Sequence, residues 1–368
     1  MKPLLIVIYI IIHFSHIEST DQFIKLSLLN KYEGYLLEFY IGKDKTKIKT
    51  KLDTLKNDSF ISNRTYKESD SFPTTYISER TYNHSDGKSY SYKIYKDTIQ
   101  FENNISLQNY MFFTFRTIFP PITDSISLSY LSQHNPNSLI SLLYDNGYIN
   151  KKVVFISNED SSLYIGKALT MKHLFKGECI ISEDKWGCPF YSMKLNNKII
   201  NAGGYYAEID STERVIQFPT KLFNDFINKL FGSFIERGIC SYSRFYSENR
   251  YICQCSIVDH ISDLEIGLGY NLYYINKQRM FFEYERFCIL VIEATDRNNI
   301  VLGTDFLFYY SIELDYDLKK ISLYGDGLLV KNNINVYIKW IALKFAICCL
   351  LFGLGLYVYE YVFKKCYV

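Results

Sequence analysis

The sequence predicts an all-β fold in two similar halves, followed by a C-terminal transmembrane helix. Three observations carry this prediction. Apolar and polar residues alternate with a period of two over much of the chain, which is typical of half-buried strands. An aspartate ends one alternating segment in each half. An apolar stretch long enough to span a bilayer lies near the C-terminus.

Residues 1–19 predict a secretory signal peptide. A lysine precedes an apolar core from Leu4 to Ile12, and small and polar residues then lead to an expected cleavage after Ser19. The apolar core is too short to span a bilayer. The chain is therefore expected to enter the secretory pathway.

The alternating segments are strand candidates, and they far outnumber the helical ones. They cover 35–42, 47–54, 89–101, 151–157, 162–166, 190–200, 205–210, 266–275 and 310–324. Helices are expected at 137–147 and at 219–231, where Pro219 precedes an apolar stripe. Many strands with isolated helices indicate an all-β domain class.

Residues 340–362 predict the transmembrane helix. Lys344 and Glu360 interrupt it near its edges, where long side chains reach the interface. A buried core helix is the alternative, but length and terminal position favour a membrane span. Lysines in the tail, 363–368, place that tail in the cytoplasm. The prediction is a type I single-pass protein with the lipid bilayer as a partner and its bulk lumenal or extracellular.

Charge excludes one class of partner. Lys and Arg total 41 and Asp and Glu total 39, so the net charge is +2 and no dense basic cluster occurs. Nucleic-acid binding is therefore not expected. Separately, the chain is expected to be a monomer.

Six cysteines precede the apolar stretch, and all of them lie in the second half. An even number in an oxidising compartment predicts up to three disulfides. A zinc site is the alternative, but the spacings match no ligand pattern, so no metal and no cofactor are predicted. The six are Cys179, Cys188, Cys240, Cys253, Cys255 and Cys288.

Four N-glycosylation sequons all fall in the first half and predict surface positions. They are Asn57, Asn63, Asn83 and Asn104.

The two halves share one feature. The segment "KIKTKLDT" ends in Asp53 and Thr54. The segment "GGYYAEIDST" contains the corresponding pair, Asp210 and Ser211, followed by one more threonine. Each aspartate closes an alternating segment and precedes a small hydroxyl residue. One such aspartate is typical of a solvated turn, but two of them 157 residues apart indicate equivalent lobes that meet at a shared site.

Over roughly 32–326 the chain resembles the pepsin-like aspartic peptidases. "YLLEFYIG" followed by "KIKTKLDT" is similar to the family's first lobe, and "AEIDSTERVIQFPTKLFNDF" to its second. "NNIVLGTDFLFYYSIELDYDLKKISLY" is the most similar segment. The resemblance implies a bilobal double β-barrel, with lobes expected at 20–168 and 169–330.

The resemblance implies that Asp53 and Asp210 are a catalytic pair. Two carboxylates about 3 Å apart cannot both ionise, so they share one proton. The ionised one takes a proton from a water, and the other polarises the scissile carbonyl. Thr54 and Ser211 would tie the two loops together. The expected activity is that of an aspartic endopeptidase acting on polypeptides.

The resemblance also implies a hairpin flap and a disulfide pairing. "SERTYNHSDGKSYSYKIYKDTIQF" fits the flap, with Asp86 and Gly87 in its turn. The family's flap tyrosine corresponds to His84, or to Tyr82 if the register shifts. The implied disulfides are Cys255–Cys288, Cys179–Cys188 and Cys240–Cys253.

Departures from the family pattern keep a second function open. Leu55 and Thr212 stand where the family has glycine, and Ser129 replaces another glycine. The Leu55 side chain is expected to crowd the substrate or to displace Asp53. The alternatives are therefore an inactive pseudopeptidase that binds peptides and, less favoured, a β-rich structural surface glycoprotein.

Overall fold

The computed structural model describes residues 22–332, apart from 32–33, 43–44, 63–65, 67–74, 84–88, 116–123, 168–173, 182–183, 246–247, 270 and 327–330. The predicted leader, transmembrane helix and tail lie outside the described residues. Among the residues described, no helix is both long enough and apolar enough to cross a membrane.

The described chain is built mainly of strands, as the alternation predicts. Those of the first half are β1 Ile24–Lys31, β2 Gly34–Ile41, β3 Thr46–Asp53, β4 Thr75–Asn83, β5 Ser89–Gln100, β6 Ser106–Phe115, β7 Ser125–Ser127, β8 Val153–Ser157 and β9 Ser162–Ile165. Those of the second half are β10 Leu174–Ile180, β11 Gly187–Leu195, β12 Lys198–Ile209, β13 Ile216–Pro219, β14 Cys240–Phe245, β15 Glu248–Gln254, β16 Leu264–Leu268, β17 Asn271–Ile275, β18 Phe281–Tyr284, β19 Phe287–Leu290, β20 Ile292–Thr295, β21 Ile300–Leu302, β22 Ser311–Asp315, β23 Lys320–Asp326 and β24 Lys331–Asn332.

The helices are short, and both predicted ones are present. The α-helices are Leu139–Asp145, Thr220–Phe226, Gly232–Glu236, Ile257–His260 and Thr304–Leu307. One π-helical stretch, Ile227–Phe231, joins the second to the third, and 3-10 helices lie at Tyr130–His134 and Lys277–Arg279.

Strand β3 shows how the alternation becomes structure. Ile48, Thr50 and Leu52 are buried, whereas the lysines between them are exposed or half-buried. Because successive side chains of a strand point to opposite faces, this spacing buries one face and leaves the other to solvent. The last residue, Asp53, falls on the lysine face of this alternation and is nevertheless 0% exposed, so its burial is not a consequence of the strand pattern.

Three segments predicted as single strands are hairpins instead. The segment 190–200 turns at Asn196 and Asn197, which have positive φ of 47° and 63°. The segments 266–275 and 310–324 turn near Gly269 (φ 57°) and Lys319 (φ 50°). The prediction was wrong because both arms of a tight hairpin keep the same alternation, so the pattern continues across the turn.

The strands of the described chain form three sheets. The largest runs β10–β23–β22–β8–β9–β1–β2–β3–β7, with β4, β5 and β6 attached through β5 to β2. The second runs β20–β13–β21–β12–β11–β16–β17–β24, and a four-stranded sheet runs β14–β15–β19–β18. The first sheet joins the halves, since β22 pairs with β8.

All six cysteines that the structure describes are paired. The disulfides are Cys179–Cys188, Cys240–Cys253 and Cys255–Cys288, the pairing that the resemblance implied. The last two cross-link neighbouring strands of the four-stranded sheet, β14 with β15 and the end of β15 with β19.

A buried aromatic cluster joins the halves beside the strand end that carries Asp53. The indole Nε1 of Trp186 and the hydroxyl of Tyr316 both donate to the carbonyl of Leu128, each at 2.8 Å. Trp186 is 0% exposed and packs edge-on against Tyr130 and Tyr316. Because Leu128 follows β7, these contacts fix the strand beside Asp53 to the second half.

This cluster makes a testable contribution to stability. Trp186→Phe removes a donor and part of a buried ring, and we expect it to lower the free energy of unfolding by about 2–3 kcal/mol. Tyr316→Phe is the matched variant, because it removes one donor to the same carbonyl and keeps the ring, and we expect a loss of about 1 kcal/mol. Urea unfolding of the purified full-length protein measures both. Equal, small losses would contradict a role for the indole in joining the halves.

Candidate active site

The two aspartates occupy equivalent places in the fold. Asp53 is the last residue of β3, and Asp210 directly follows β12. Each of these strands ends beside a parallel neighbour: β7 beside β3 and β21 beside β12. Both aspartates are buried, at 0% and 3% exposure. The internal repeat that the sequence predicted is therefore a structural repeat around this pair.

Reciprocal hydrogen bonds tie the two aspartate loops together. The hydroxyl of Thr54 donates to the carbonyl of Ile209, and the hydroxyl of Ser211 donates to the carbonyl of Leu52, each at 2.7 Å. The backbone N–H of Ser211 also donates to Thr54 Oγ1 at 3.1 Å. Each loop thus holds the strand end of the other half, and both aspartates are fixed at one junction.

The residues that replace glycine keep the backbone donors. The N–H of Leu55 donates to Asp53 Oδ1 at 3.0 Å, and the N–H of Thr212 donates to Asp210 Oδ1 at 3.0 Å. Neither replacement has a positive φ. Both carboxylates therefore keep these backbone donors, because the two turns do not need the left-handed backbone that favours glycine.

Further donors reach the same two oxygen atoms. The next N–H groups along the chain, of Lys56 and Glu213, donate to Asp53 Oδ1 at 2.9 Å and to Asp210 Oδ1 at 3.3 Å. Thr212 Oγ1 adds a bond of 2.6 Å to Asp210 Oδ1. Both Oδ1 atoms are thus bound by the protein, which leaves the Oδ2 atoms for other partners.

Each Oδ2 atom faces a cation that sequence reasoning missed. Lys56 Nζ lies 3.2 Å from Asp53 Oδ2, and Arg297 Nη1 lies 3.2 Å from Asp210 Oδ2. The two carboxylate side chains are 1% and 4% exposed, whereas the cation side chains are 45% and 44% exposed. Both cations therefore approach from the solvent side of the pair.

The two ion pairs differ in geometry. Arg297 makes a hydrogen bond to Asp210 Oδ2 and places its second amino group 3.4 Å from Glu213 Oε1. Asp53 Oδ2 accepts no hydrogen bond from any residue that the structure describes. Its contact with Lys56 is thus a charge interaction, and the oxygen keeps its acceptor capacity.

Burial governs the protonation of this cluster. Burial raises the pKa of Asp53 above the usual range; the charge of Lys56 and the N–H bonds of residues 55 and 56 oppose the rise, and the charge of Asp210 adds to it. Burial and the charge of Asp210 also raise the pKa of Glu213, and Arg297 opposes this. A carboxyl with a raised pKa keeps its proton to a higher pH. A protonated carboxyl is what general acid catalysis needs.

A pocket of about 500 Å³ begins at Glu213 and extends along the second half. Its lining is mixed, with an Arg250–Glu293 ion pair beside apolar side chains. The lining residues are Glu213, Arg214, Val215, Gln217, Phe245, Arg250, Phe282, Ile289, Leu290, Val291 and Glu293. Such a pocket has room for a side chain of a bound peptide.

The segment predicted as the flap forms a hairpin of β4 and β5, in which Asn83 pairs with Ser89. Tyr82 pairs with Tyr90 in this hairpin. Its turn, with His84, Asp86 and Gly87, lies outside the described residues.

Of the four sequons, Asn57 and Asn104 are exposed. Asn83 ends β4, and Asn63 lies outside the described residues. Asn57 accepts a hydrogen bond of 2.9 Å from the hydroxyl of Ser129, the residue that replaces the family's glycine.

Two of the charged residues at the site, Lys56 and Glu213, could have been found from the internal repeat around the aspartates. Lys56 and Glu213 each stand three residues after an aspartate, so aligning the two halves brings out both. Arg297 carries no such signal, because it follows Asp210 by 87 residues and reaches it from the connection between β20 and β21.

Two halves that each present a buried aspartate at a shared, hydroxyl-tied junction define the class of the aspartic peptidases. The model of the eukaryotic aspartyl protease family matches residues 138–324, about half of the chain, and the chain belongs to this family. The matched segment contains Asp210 and Ser211, whereas Asp53 precedes it. No curated protein matches the chain.

The raised pKa of Asp53 predicts a specific pH dependence of stability. Because folding raises this pKa above its unfolded value of about 3.9, the protonated group favours the folded state. That contribution is full below the unfolded pKa and is lost as pH rises through the folded pKa. Asp53→Asn, which cannot ionise, should therefore be more stable than the wild type at neutral pH and lose this advantage in acid.

Urea unfolding of the full-length protein between pH 3 and pH 8 measures the difference. Asp225→Asn, on an exposed helix position, is the control and should leave the profile unchanged. A variant that is less stable than the wild type at neutral pH would contradict the predicted sign.

Proposed function

We propose that the chain is an aspartic endopeptidase that hydrolyses peptide bonds with a water activated between Asp53 and Asp210. The family implies a polypeptide substrate. The observation that carries the proposal is the reciprocal pair of 2.7 Å hydrogen bonds from Thr54 and Ser211, which fix both carboxylates at one junction.

The chemistry needs one proton shared by two carboxyls. The ionised carboxylate accepts a proton from the attacking water, while the protonated carboxyl donates to the carbonyl oxygen of the scissile bond. The open acceptor capacity of Asp53 Oδ2 and the burial of both groups support this role. Because the charge of Asp210 acts on Asp53, the shared proton belongs to the pair and not to one residue.

The second candidate is a pseudopeptidase that binds peptides without cleaving them. The observation that favours it is the pair of cations beside Asp53 and Asp210, since a neighbouring positive charge stabilises the ionised carboxylate. In this function the aspartates would serve as buried hydrogen-bond acceptors, and the cleft would still hold an extended peptide.

Turnover separates the two candidates. We expect purified full-length protein to cleave an unfolded protein in acid, to be blocked by a statine-type transition-state mimic, and to lose at least about 10³-fold in kcat for Asp53→Asn and for Asp210→Asn. Asp225→Asn is the control. Peptide binding without cleavage, unchanged in both active-site variants, would instead establish the pseudopeptidase.

We further propose that the protein is a type I membrane glycoprotein of the secretory pathway. The leader at 1–19, the apolar stretch at 340–362 and the exposure of Asn57 and Asn104 support this. In a secretory host we expect alkaline carbonate to leave the protein in the membrane fraction and peptide-N-glycosidase to increase its mobility. Asn57→Gln and Asn104→Gln should each remove one step of that increase. Release by carbonate, or mobility unaffected by the glycosidase, would contradict the assignment.

A further inference from the structure

The cations beside the aspartate pair come from both halves of the protein. Lys56 follows Asp53 in the first half, and Arg297 lies between β20 and β21 in the second. Each contacts the Oδ2 atom of its partner at 3.2 Å, while both Oδ1 atoms are held by backbone N–H groups. The cations therefore act on the carboxylate oxygens that the backbone leaves open.

The acidic and basic groups around the aspartate pair nearly cancel in charge. Among the described residues, the charged groups facing the pair are Lys56, Arg297 and Glu213, with Glu293 behind Glu213. Asp53, Asp210 and Glu213 carry three negative charges when ionised, and the two cations carry two positive ones. One bound proton thus neutralises the cluster, so removing a cation favours tighter binding of that proton.

We propose that Lys56 and Arg297 are positioning residues that set the pH range over which Asp53 and Asp210 share a proton, and that they confine this range to acid conditions. The inference rests on the proposed peptidase function, because a shared proton matters only where carboxyls exchange protons with a substrate. Each ion pair favours the fully ionised pair, so the shared proton is lost at a lower pH than it would be without the cations.

The expected effect is large enough to measure in spite of solvent screening. An opposite charge within about 4–6 Å lowers a carboxyl pKa by roughly one to three units, and half-exposed cations fall at the weak end of that range. We therefore expect Lys56→Met and Arg297→Met each to move the alkaline limb of the pH–activity profile up by about one pH unit. At a pH well above the limb, activity should rise about tenfold.

Three further variants separate this effect from structural damage. Lys56→Arg and Arg297→Lys keep the charge and should keep the wild-type limb. Glu213→Gln removes a negative charge and should move the limb in the opposite direction, toward acid. Lys194→Met breaks an ion pair with Glu265 in the second half and serves as the remote control.

The measurements are hydrolysis of an unfolded protein and the Kd of a statine-type inhibitor, both followed against pH with the full-length protein. A limb that stays in place or moves toward acid in both methionine variants would overturn the proposal. So would a limb that moves as far in Lys56→Arg as in Lys56→Met.

A failure of the peptidase function would look different. If neither turnover nor inhibitor binding is detected, the proposed function fails, and the carboxyl resonances of ¹³C-labelled aspartate then report the titration directly. Upward shifts of the Asp53 or Asp210 midpoints in the methionine variants would still support control of the proton by the cations. Unchanged midpoints would overturn that control as well.

Discussion

The structure depends on an exchange of two hydroxyl hydrogen bonds at the junction of its halves. Thr54 and Ser211 each donate to a backbone carbonyl of the opposite strand end. A buried carbonyl without a donor destabilises the fold, and these hydroxyls each supply a donor to a carbonyl at the end of the opposite strand. The same two bonds place the aspartates, and the stability of the junction and the geometry of the site therefore have a single cause.

Around this junction the protein balances burial against charge. Asp53 and Asp210 lie almost out of contact with solvent, and burial disfavours the ionised form of Asp53. Backbone N–H groups on the Oδ1 atoms and cations on the Oδ2 atoms oppose that effect. Because the cations are half-exposed, solvent screens them, and burial still prevails at Asp53.

The loss of the two motif glycines has a limited consequence for the backbone. Any residue except proline supplies the N–H that binds a carboxylate, and the turns at Leu55 and Thr212 have ordinary backbone conformations. The residues at the glycine positions thus keep the backbone donors, while Lys56 and Arg297 add positive charge beside the aspartates. The pocket beside Glu213 in the second half is also lined by charged residues, among them Arg250 and Glu293.

The sequence by itself determined the features that are local. The alternation in β3 and β12 placed both aspartates at strand ends, the repeat paired Thr54 with Ser211, and an even cysteine count predicted disulfides. Only the tertiary structure decided which distant groups meet, such as Arg297 with Asp210 and Trp186 with Leu128. The physical reason is the distance along the chain over which each effect acts. Periodicity is local and indicates which face of a strand is buried. The partner of a side chain depends on how strands far apart in sequence pack together.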